Sequence, residues 1–316
     1  MRGYILRRLA FALFLVVAVS SASLVLTELA PGDYATGAFG LGARPEALAR
    51  ARERYGLNRS IGAEYRDWLA HAIRFDFGRS LLYDRPVAEL IPERAANTAI
   101  LAITALAIAT LVGVPLGIVS GSRRGGLVPH AIRAASVVLL SMPPLLTSLF
   151  LVFVAARTGW LPIAGMRSAS VPPGGAFADL VRHLVVPAAA IALPLAAMFE
   201  RMQAQAMREA IAQPFVIATL ARGVSRRRVV WRDALKVALR PLAAVYGLVV
   251  GTLLSGSFAV EVITAWPGLG RLMLDALSAR DVYLVAGCAG TGAVFLACAT
   301  LASDVALAFV DPRVRE

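Results

Sequence analysis

Six apolar runs govern what this chain can fold into: residues 9–30, 95–121, 134–156, 183–199, 241–263 and 282–310. A helix needs about 20 mostly apolar residues to cross the hydrocarbon core of a bilayer. The fourth run is the shortest, and Pro187 and Pro194 interrupt it. A spanning helix tolerates proline where its neighbours satisfy the freed carbonyls. The first run exceeds the roughly 7–15 apolar residues of a secretory signal. No clean small-residue cleavage site precedes Pro31 and Gly32, so it reads as a retained helix. Only 16% of the 316 residues are charged. A soluble domain carries about a quarter and a disordered chain is polar and charge-rich, so both classes are excluded. The expected fold is all-α: a polytopic membrane protein with six transmembrane helices.

The positions of the arginines set the topology. Of 32 basic residues only Lys236 is a lysine. Arg2, Arg7 and Arg8 precede the first run, and Arg123, Arg124 and Arg133 lie between the second and third. Nine more lie between Arg201 and Arg240, and Arg313 and Arg315 close the chain. With six spans these seventeen share one side. The short connections of the other side hold Arg157, Arg167, Arg182, Arg271 and Arg280. Basic short loops stay in the cytoplasm, whereas loops beyond about 60 residues, such as 31–94, escape that rule. Both termini are therefore expected in the cytoplasm. The net charge of +12 follows from topology, and no nucleic-acid partner is expected. Two cysteines exclude a disulfide scaffold, and with three histidines no metal site is expected.

Residues 31–94 are too long for a plain connector. Pro45–Tyr55 reads as a polar helix ended by Gly56. Residues 63–75 put Tyr65, Trp68, Leu69, Ala72 and Ile73 on one face, a stripe suited to the membrane surface or to the helix bundle. Trp160 sits where an interfacial aromatic anchor is expected. Between 264 and 281, Pro267, Gly268 and Gly270 are expected to force a tight, non-helical backbone, followed by a short helix over 271–279.

Residues 200–240 are the most informative. A helix over 207–221, broken near Pro214, stops at Gly223. Ser225 is then a good N-cap for a helix running to about Leu239. In it Arg228, Arg232, Lys236 and Arg240 recur every four residues as one cationic stripe. Pro241 is expected to open the fifth span, where a missing N–H costs nothing. Such a basic helix suits anionic headgroups and, equally, a cytoplasmic protein partner.

Short sequence landmarks run along nearly the whole chain. They begin with Tyr4-Ile5-Leu6-Arg7-Arg8 and Leu29-Ala30-Pro31-Gly32-Asp33. Tyr55-Gly56-Leu57-Asn58-Arg59, Asp76-Phe77-Gly78-Arg79-Ser80 and Arg85-Pro86-Val87 follow. Then come Gly113-Val114-Pro115-Leu116-Gly117, Ser141-Met142-Pro143 and Gly159-Trp160-Leu161-Pro162. The most specific are residues 221–229 (ARGVSRRRV), Trp266-Pro267-Gly268-Leu269-Gly270-Arg271 and the closing Asp311-Pro312-Arg313-Val314-Arg315. In this order, against six spans, the chain resembles the inner-membrane permease subunit of ABC importers of the dipeptide, oligopeptide and nickel type.

The resemblance implies the permease fold of such importers. A cytoplasmic N-terminus and first span would occupy 1–30, an external segment 31–94, a five-helix core 95–310 and a cytoplasmic tail 311–316. Residues 200–240 would be the coupling (EAA) loop, docked over 215–239 on an ATP-hydrolysing subunit. It implies coupling roles for Phe215, Ala218, Thr219, Ala221, Arg222, Gly223, Ser225, Arg226, Arg227 and Arg228. Ile217 and Leu220 stand where the family usually has arginines, and Gln213-Pro214 where acidic residues are common, which implies a more apolar docking groove on the partner. Glu261, Trp266, Pro267, Gly268, Gly270, Arg271 and Asp275 would form the external gate and binding-protein side. The implied partners are a homologous second permease, two ATP-binding subunits, an external substrate-binding protein and membrane lipids, in a bacterial cytoplasmic (inner) membrane.

A phosphate-binding P-loop needs G-x-x-x-x-G-K-[ST], and the sole lysine follows Leu235. This chain is therefore expected to bind no cofactor and to be no enzyme; ATP and Mg would be used by the partner subunits. The expected cargo is a short peptide. Close relatives carry nickel chelates, glutathione and glycosides. A self-sufficient secondary transporter or channel is the reading from another class. It would need inverted repeats or mid-membrane carboxylates, and no repeat is detected. Glu28 and Glu261 are expected near the external interface, in reach of water, and Asp304 near the cytoplasmic end. For intramembrane carboxylates a pathway role competes with simple pairing or hydration. Pro143-Pro144 is expected to kink the third span beside a translocation path. Gly247 and Gly251 form a GxxxG pair for close helix packing.

Overall fold

The computed structural model describes residues 2–40, 44–74, 76–123, 125–170 and 174–310. Among these the chain is helical, in the order α1 (Arg2–Leu29), α2 (Tyr34–Phe39), α3 (Pro45–Tyr55), α4 (Ile61–Ala72), α5 (Val87–Ser122), α6 (Leu127–Leu140) and α7 (Pro144–Thr158). After these come α8 (Ala176–Ile211), α9 (Pro214–Ala221), α10 (Arg226–Arg228), a π-helical segment (Val229–Ala234), α11 (Leu235–Ile263), α12 (Leu269–Ala279) and α13 (Val282–Val310). Arg124, Pro172 and Pro173, and the closing residues 311–316, fall outside the described residues, as does the side chain of Asp304.

Among the described residues four helices are long and apolar enough to cross a membrane: 7–29 of α1, α5, α8 and 282–303 of α13. Two bent pairs meet the same test when each is taken together. They are α6 with α7, at 102°, and 226–247 with 249–263, at 41°. Each pair taken as one span, the described residues hold six candidate crossings by length and composition, the number expected. Helices α5 and α8, at 36 residues each, extend about 54 Å, well beyond the bilayer core of about 30 Å. The run 95–121 is therefore the C-terminal part of a longer rod, and 183–199 the central part of another. Pro187 and Pro194 both lie inside α8 without ending it.

The third run departs from a single kinked helix. Residues 141–143 separate α6 from α7, and Pro143 has an extended backbone (φ −59°, ψ 150°). Proline disfavours helical geometry in the residue before it and removes a donor itself, so two in succession reset the helix axis instead of merely bending it.

The chain forms two compact units. The first comprises residues 1–99 and 267–297. Its core joins Leu24, Trp68, Val282 and Ala286, with Tyr65, Leu69 and Ala72 around them. Of the amphipathic stripe of α4, Trp68 is buried and Tyr65, Leu69 and Ala72 are partly buried against this core, and Tyr65 donates to Ser21 Oγ at 3.0 Å. Only Ile73 of that stripe, 77% exposed, points away. The second unit comprises 100–266 and 298–316. Helix α8 packs against α6, α7 and α11, and its alanines, with Leu101, Phe199, Leu253 and Trp266, make the core. Helix α5 runs unusually close to α8 there. A Cβ at Gly117 would stand 2.6 Å from that of Gln203, and one at Gly121 2.8 Å from the Cα of Ala204.

Candidate functional site

The 200–240 segment is a helix–turn–helix rooted in the second unit. Helix α8 stops at Ile211, and α9 starts with Pro214 at its first position behind an extended Gln213. Of α9 only Val216 is buried. It joins Met207, Ala210, Val229, Val230, Ala234 and Ala238 in a compact cluster that fastens α9 to the following helix. The rest of α9 is apolar yet exposed: Phe215 by 42%, Ile217 by 59% and Leu220 by 38%. Thr219 donates back to the Phe215 carbonyl at 2.8 Å and accepts from Arg222 at 3.1 Å. Ala218, Ala221 and Arg222 are exposed beside them.

Gly223 takes a left-handed conformation (φ +81°) with open space where a Cβ would stand. The turn therefore demands glycine for its backbone angle, not for room. Ser225 occupies the N-cap position but makes no side-chain cap bond. Arg226, Arg227 and Arg228 are exposed, and Arg226 donates to the Ser122 carbonyl at 3.0 Å. Arg232, Lys236 and Arg240 are exposed as well, so the cationic stripe is solvent-facing along its length. The expected entry of the fifth span at Pro241 is corrected: helix continues through it, and Pro241 is interior to α11. The π-helical turns just before it place the backbone out of regular register.

The loop after α11 is built differently from the expected glycine turn. Its left-handed residue is Ala265 (φ +50°), while Gly268 is extended and Gly270 is already helical in α12. Glu261 is wholly buried, not in reach of water as expected. Its carbonyl accepts the Trp266 N–H at 2.9 Å, and the buried Trp266 ring fills the core of the second unit. Within the first unit, Asn97 donates to the Pro267 carbonyl at 2.9 Å and the Leu269 N–H donates to Thr98 Oγ1 at 2.8 Å. Arg271 and Asp275 are half-buried on α12. Burial, with Asp275 adding, raises the pKa of the Tyr83 phenol. Asn97, Thr98 and Asp281 were missed as anchors. The signal for the first two was a polar pair opening an apolar run; Asp281 stands immediately before one, as an N-cap does.

Pro144 lines an apolar cavity of about 430 Å³ with Leu140, Ile191, Pro194 and Gly256; Pro143 is exposed at the bend. Gly247 packs within the chain, its N–H donating to Ser303 Oγ at 2.9 Å. Among the described residues no cluster of three or more metal-ligating side chains occurs.

Comparison with known proteins bears on the whole length. A family described as "Binding-protein-dependent transport system inner membrane component" matches residues 113–316, and its N-terminal counterpart matches residues 1–102. The oligopeptide transport system permease protein AppB of Bacillus subtilis (strain 168) is 30% identical over 320 residues, covering 99% of each chain. A putative peptide transport system permease protein of Brucella abortus (strain 2308) is 33% identical over 317 residues, covering 100% of this chain and 99% of that one.

Proposed function

This chain belongs to the family of binding-protein-dependent transport system inner membrane components, and from that membership we propose that it forms half of the translocation pathway of an importer of short peptides. It is a transport permease subunit of an inner membrane, and its family works with an ATPase and a substrate-binding protein. We infer the finer arrangement: a homologous second permease, two ATP-binding subunits that use ATP and Mg, and both termini with 200–240 in the cytoplasm. The peptide cargo follows the names of its relatives.

The observation that carries the coupling role is α9, an apolar helix that buries only Val216. Exposing Phe215, Ile217 and Leu220 to water is unfavourable by roughly 25 cal/mol per Å², so the face suits an apolar groove. Val216, Val229, Val230, Ala234 and Ala238 pack together, so a push on α9 would be carried as a rigid body into α11. We assign Phe215, Ala218, Thr219, Ala221, Arg222, Gly223, Ser225 and Arg226–Arg228 to that coupling region. Glu261, Trp266, Pro267, Gly268, Gly270, Arg271 and Asp275 are assigned to the external gate, and the Pro143-Pro144 bend to the pathway.

A mild-detergent pull-down of the tagged chain, with mass spectrometry of what is retained, tests the assignment. A second six-span protein and P-loop ATPases are expected. Recovery of the chain alone overturns it. Ligand stripped from a co-purified binding protein should be peptide; a nickel chelate, glutathione or a glycoside would replace the cargo while leaving the permease role standing.

A further inference from the structure

A cleft of about 510 Å³ opens where the end of α5 meets α10 and the π-helical segment. Buried Ile118 and Val230 form its apolar floor, and Arg123, Arg226, Arg227 and Trp231 its rim. Among the described residues none of these three arginines is in an ion pair. The bond to the Ser122 carbonyl fixes the Arg226 guanidinium at the rim, and with five N–H donors it retains capacity for a second acceptor. Trp231 is 49% exposed beside them. Helix α5 is a spanning helix whose apolar run ends at residue 121, so the cleft lies where acyl chains give way to headgroups. Indole rings favour that level.

We infer that this cleft binds the headgroup of an anionic phospholipid. The phosphodiester takes the guanidinium donors of Arg123, Arg226 and Arg227, whose planar forks match phosphate oxygens. An acyl chain runs over Val119 and the exposed Trp231 face, above the buried Ile118 and Val230. A second basic cavity, of about 380 Å³, is lined by Arg133, Arg201 and Arg208 but includes Glu200, whose carboxyl group would oppose a phosphate. The lipid would bridge the end of α5 and the root of the coupling segment, making their joint sensitive to headgroup charge.

The test is lipid retention by the purified chain, or its complex, after reconstitution in phosphatidylcholine vesicles with or without phosphatidylglycerol, read by native mass spectrometry. Preferential retention of phosphatidylglycerol is expected. Removing one rim arginine, as in Arg227→Gln, lowers retention about fivefold, the factor that corresponds to about 1 kcal/mol per arginine at a membrane surface. The combined Arg123→Gln, Arg226→Gln, Arg227→Gln variant loses the preference. Arg228→Gln, a neighbouring charge outside the cleft, keeps it. Equal retention by wild type and the Arg227→Gln variant overturns the site, and so does an equal loss in Arg228→Gln, which would mark general charge attraction. Cross-linking of position 227 to an ATPase subunit, without lipid preference, would reassign the cleft to a protein contact. Arg227 is exposed, so its single variant is informative even where the triple one fails to fold.

Discussion

Ser80 donates its hydroxyl to Asp281 Oδ2 at 2.6 Å, across 201 residues of chain and with both side chains buried. The same oxygen accepts the Leu82 N–H at 3.0 Å, while Oδ1 accepts the Leu284 N–H at 3.2 Å. One carboxyl group therefore caps α13 and pins the turn that precedes α5. Leaving a buried donor unmet costs about 1–3 kcal/mol. Asp281→Ala strands three donors at once and should destabilise by about 3 kcal/mol or more, whereas Ser80→Ala, which removes one donor to Asp281 and leaves the Tyr83 N–H without its Ser80 Oγ acceptor, should cost about 2 kcal/mol. Thermal unfolding of both variants in one detergent measures the difference, and equal midpoints would contradict a shared anchor.

Gly117 tests the approach of α5 to α8. Any Cβ there meets the Gln203 side chain and the Glu200 carbonyl at 2.6–2.7 Å. Overpacking of that kind costs about 1–3 kcal/mol where the surroundings yield. Two helices fixed along several turns yield little, so Gly117→Val should lower the unfolding midpoint and the yield of folded protein. Gly125→Val, with open space around it, is the control and should behave as wild type.

How much of this was legible in the sequence depends on how local the cause was. Helix α3 was readable because Pro45 opens it and a left-handed Gly56 closes it, both effects of one residue on its own backbone. The turn at Gly223 was readable for the same reason. The 102° turn at Pro143 was visible as a perturbation but not as a change of direction, because α6 and α7 are equally apolar and hydropathy carries no axis. The π-helical turns before Pro241 left no trace, since hydrogen-bond register is not written in side-chain pattern. The burial of Glu261 and the Ser80–Asp281 anchor are products of packing between distant segments, which no window along the chain contains.

Asp33 gives the segment 31–94 a pH dependence of known sign. Burial works against its ionisation, but the Thr36 N–H, at 2.9 Å, and the Arg52 guanidinium, at 2.5 Å, outweigh it and hold the carboxyl group below the ordinary 3.8. A depressed folded pKa contributes stability that is present above the unfolded value and is lost as pH falls through the folded one. Relative to the intrinsic, pH-dependent exchange rate, hydrogen exchange of the α2–α3 amides should therefore stay constant from neutral pH down to the ordinary aspartate range and rise below it. Arg52→Ala should raise exchange already at neutral pH and shrink that acid-side rise, because the folded pKa moves toward the unfolded one; an unchanged profile would show that the pair does not hold the segment.

Gly223 offers a test of the proposed coupling turn apart from folding. Its φ of +81° is closed to proline, whose ring fixes φ near −65°, and costs other residues about 1–2 kcal/mol. Gly223→Ala, with empty space for its methyl group, should remain folded and retain part of its transport. Gly223→Pro should insert in the membrane, seen in the membrane fraction by immunoblot, yet lose uptake in vesicles of the assembled transporter. Uptake at the wild-type rate in the proline variant would detach this turn from transport.

Neighbouring residues on α9 separate a partner contact from a structural one. Val216 is buried at 1% exposure and Ile217 lies open at 59%. An aspartate at 216 would be forced into the cluster with Met207 and Val230, where an unpaired charge costs several kcal/mol, and should reduce the amount of folded protein. An aspartate at 217 would meet solvent in the isolated chain, so Ile217→Asp should unfold at the wild-type temperature. In the assembled transporter the same carboxylate would enter an apolar groove and should reduce co-purification of the ATPase subunits about tenfold or more, since each 1.4 kcal/mol is a factor of ten. A fall in both stability and association would make Ile217 part of the core. Wild-type association in Ile217→Asp would place the ATPase contact elsewhere than on the exposed face of α9.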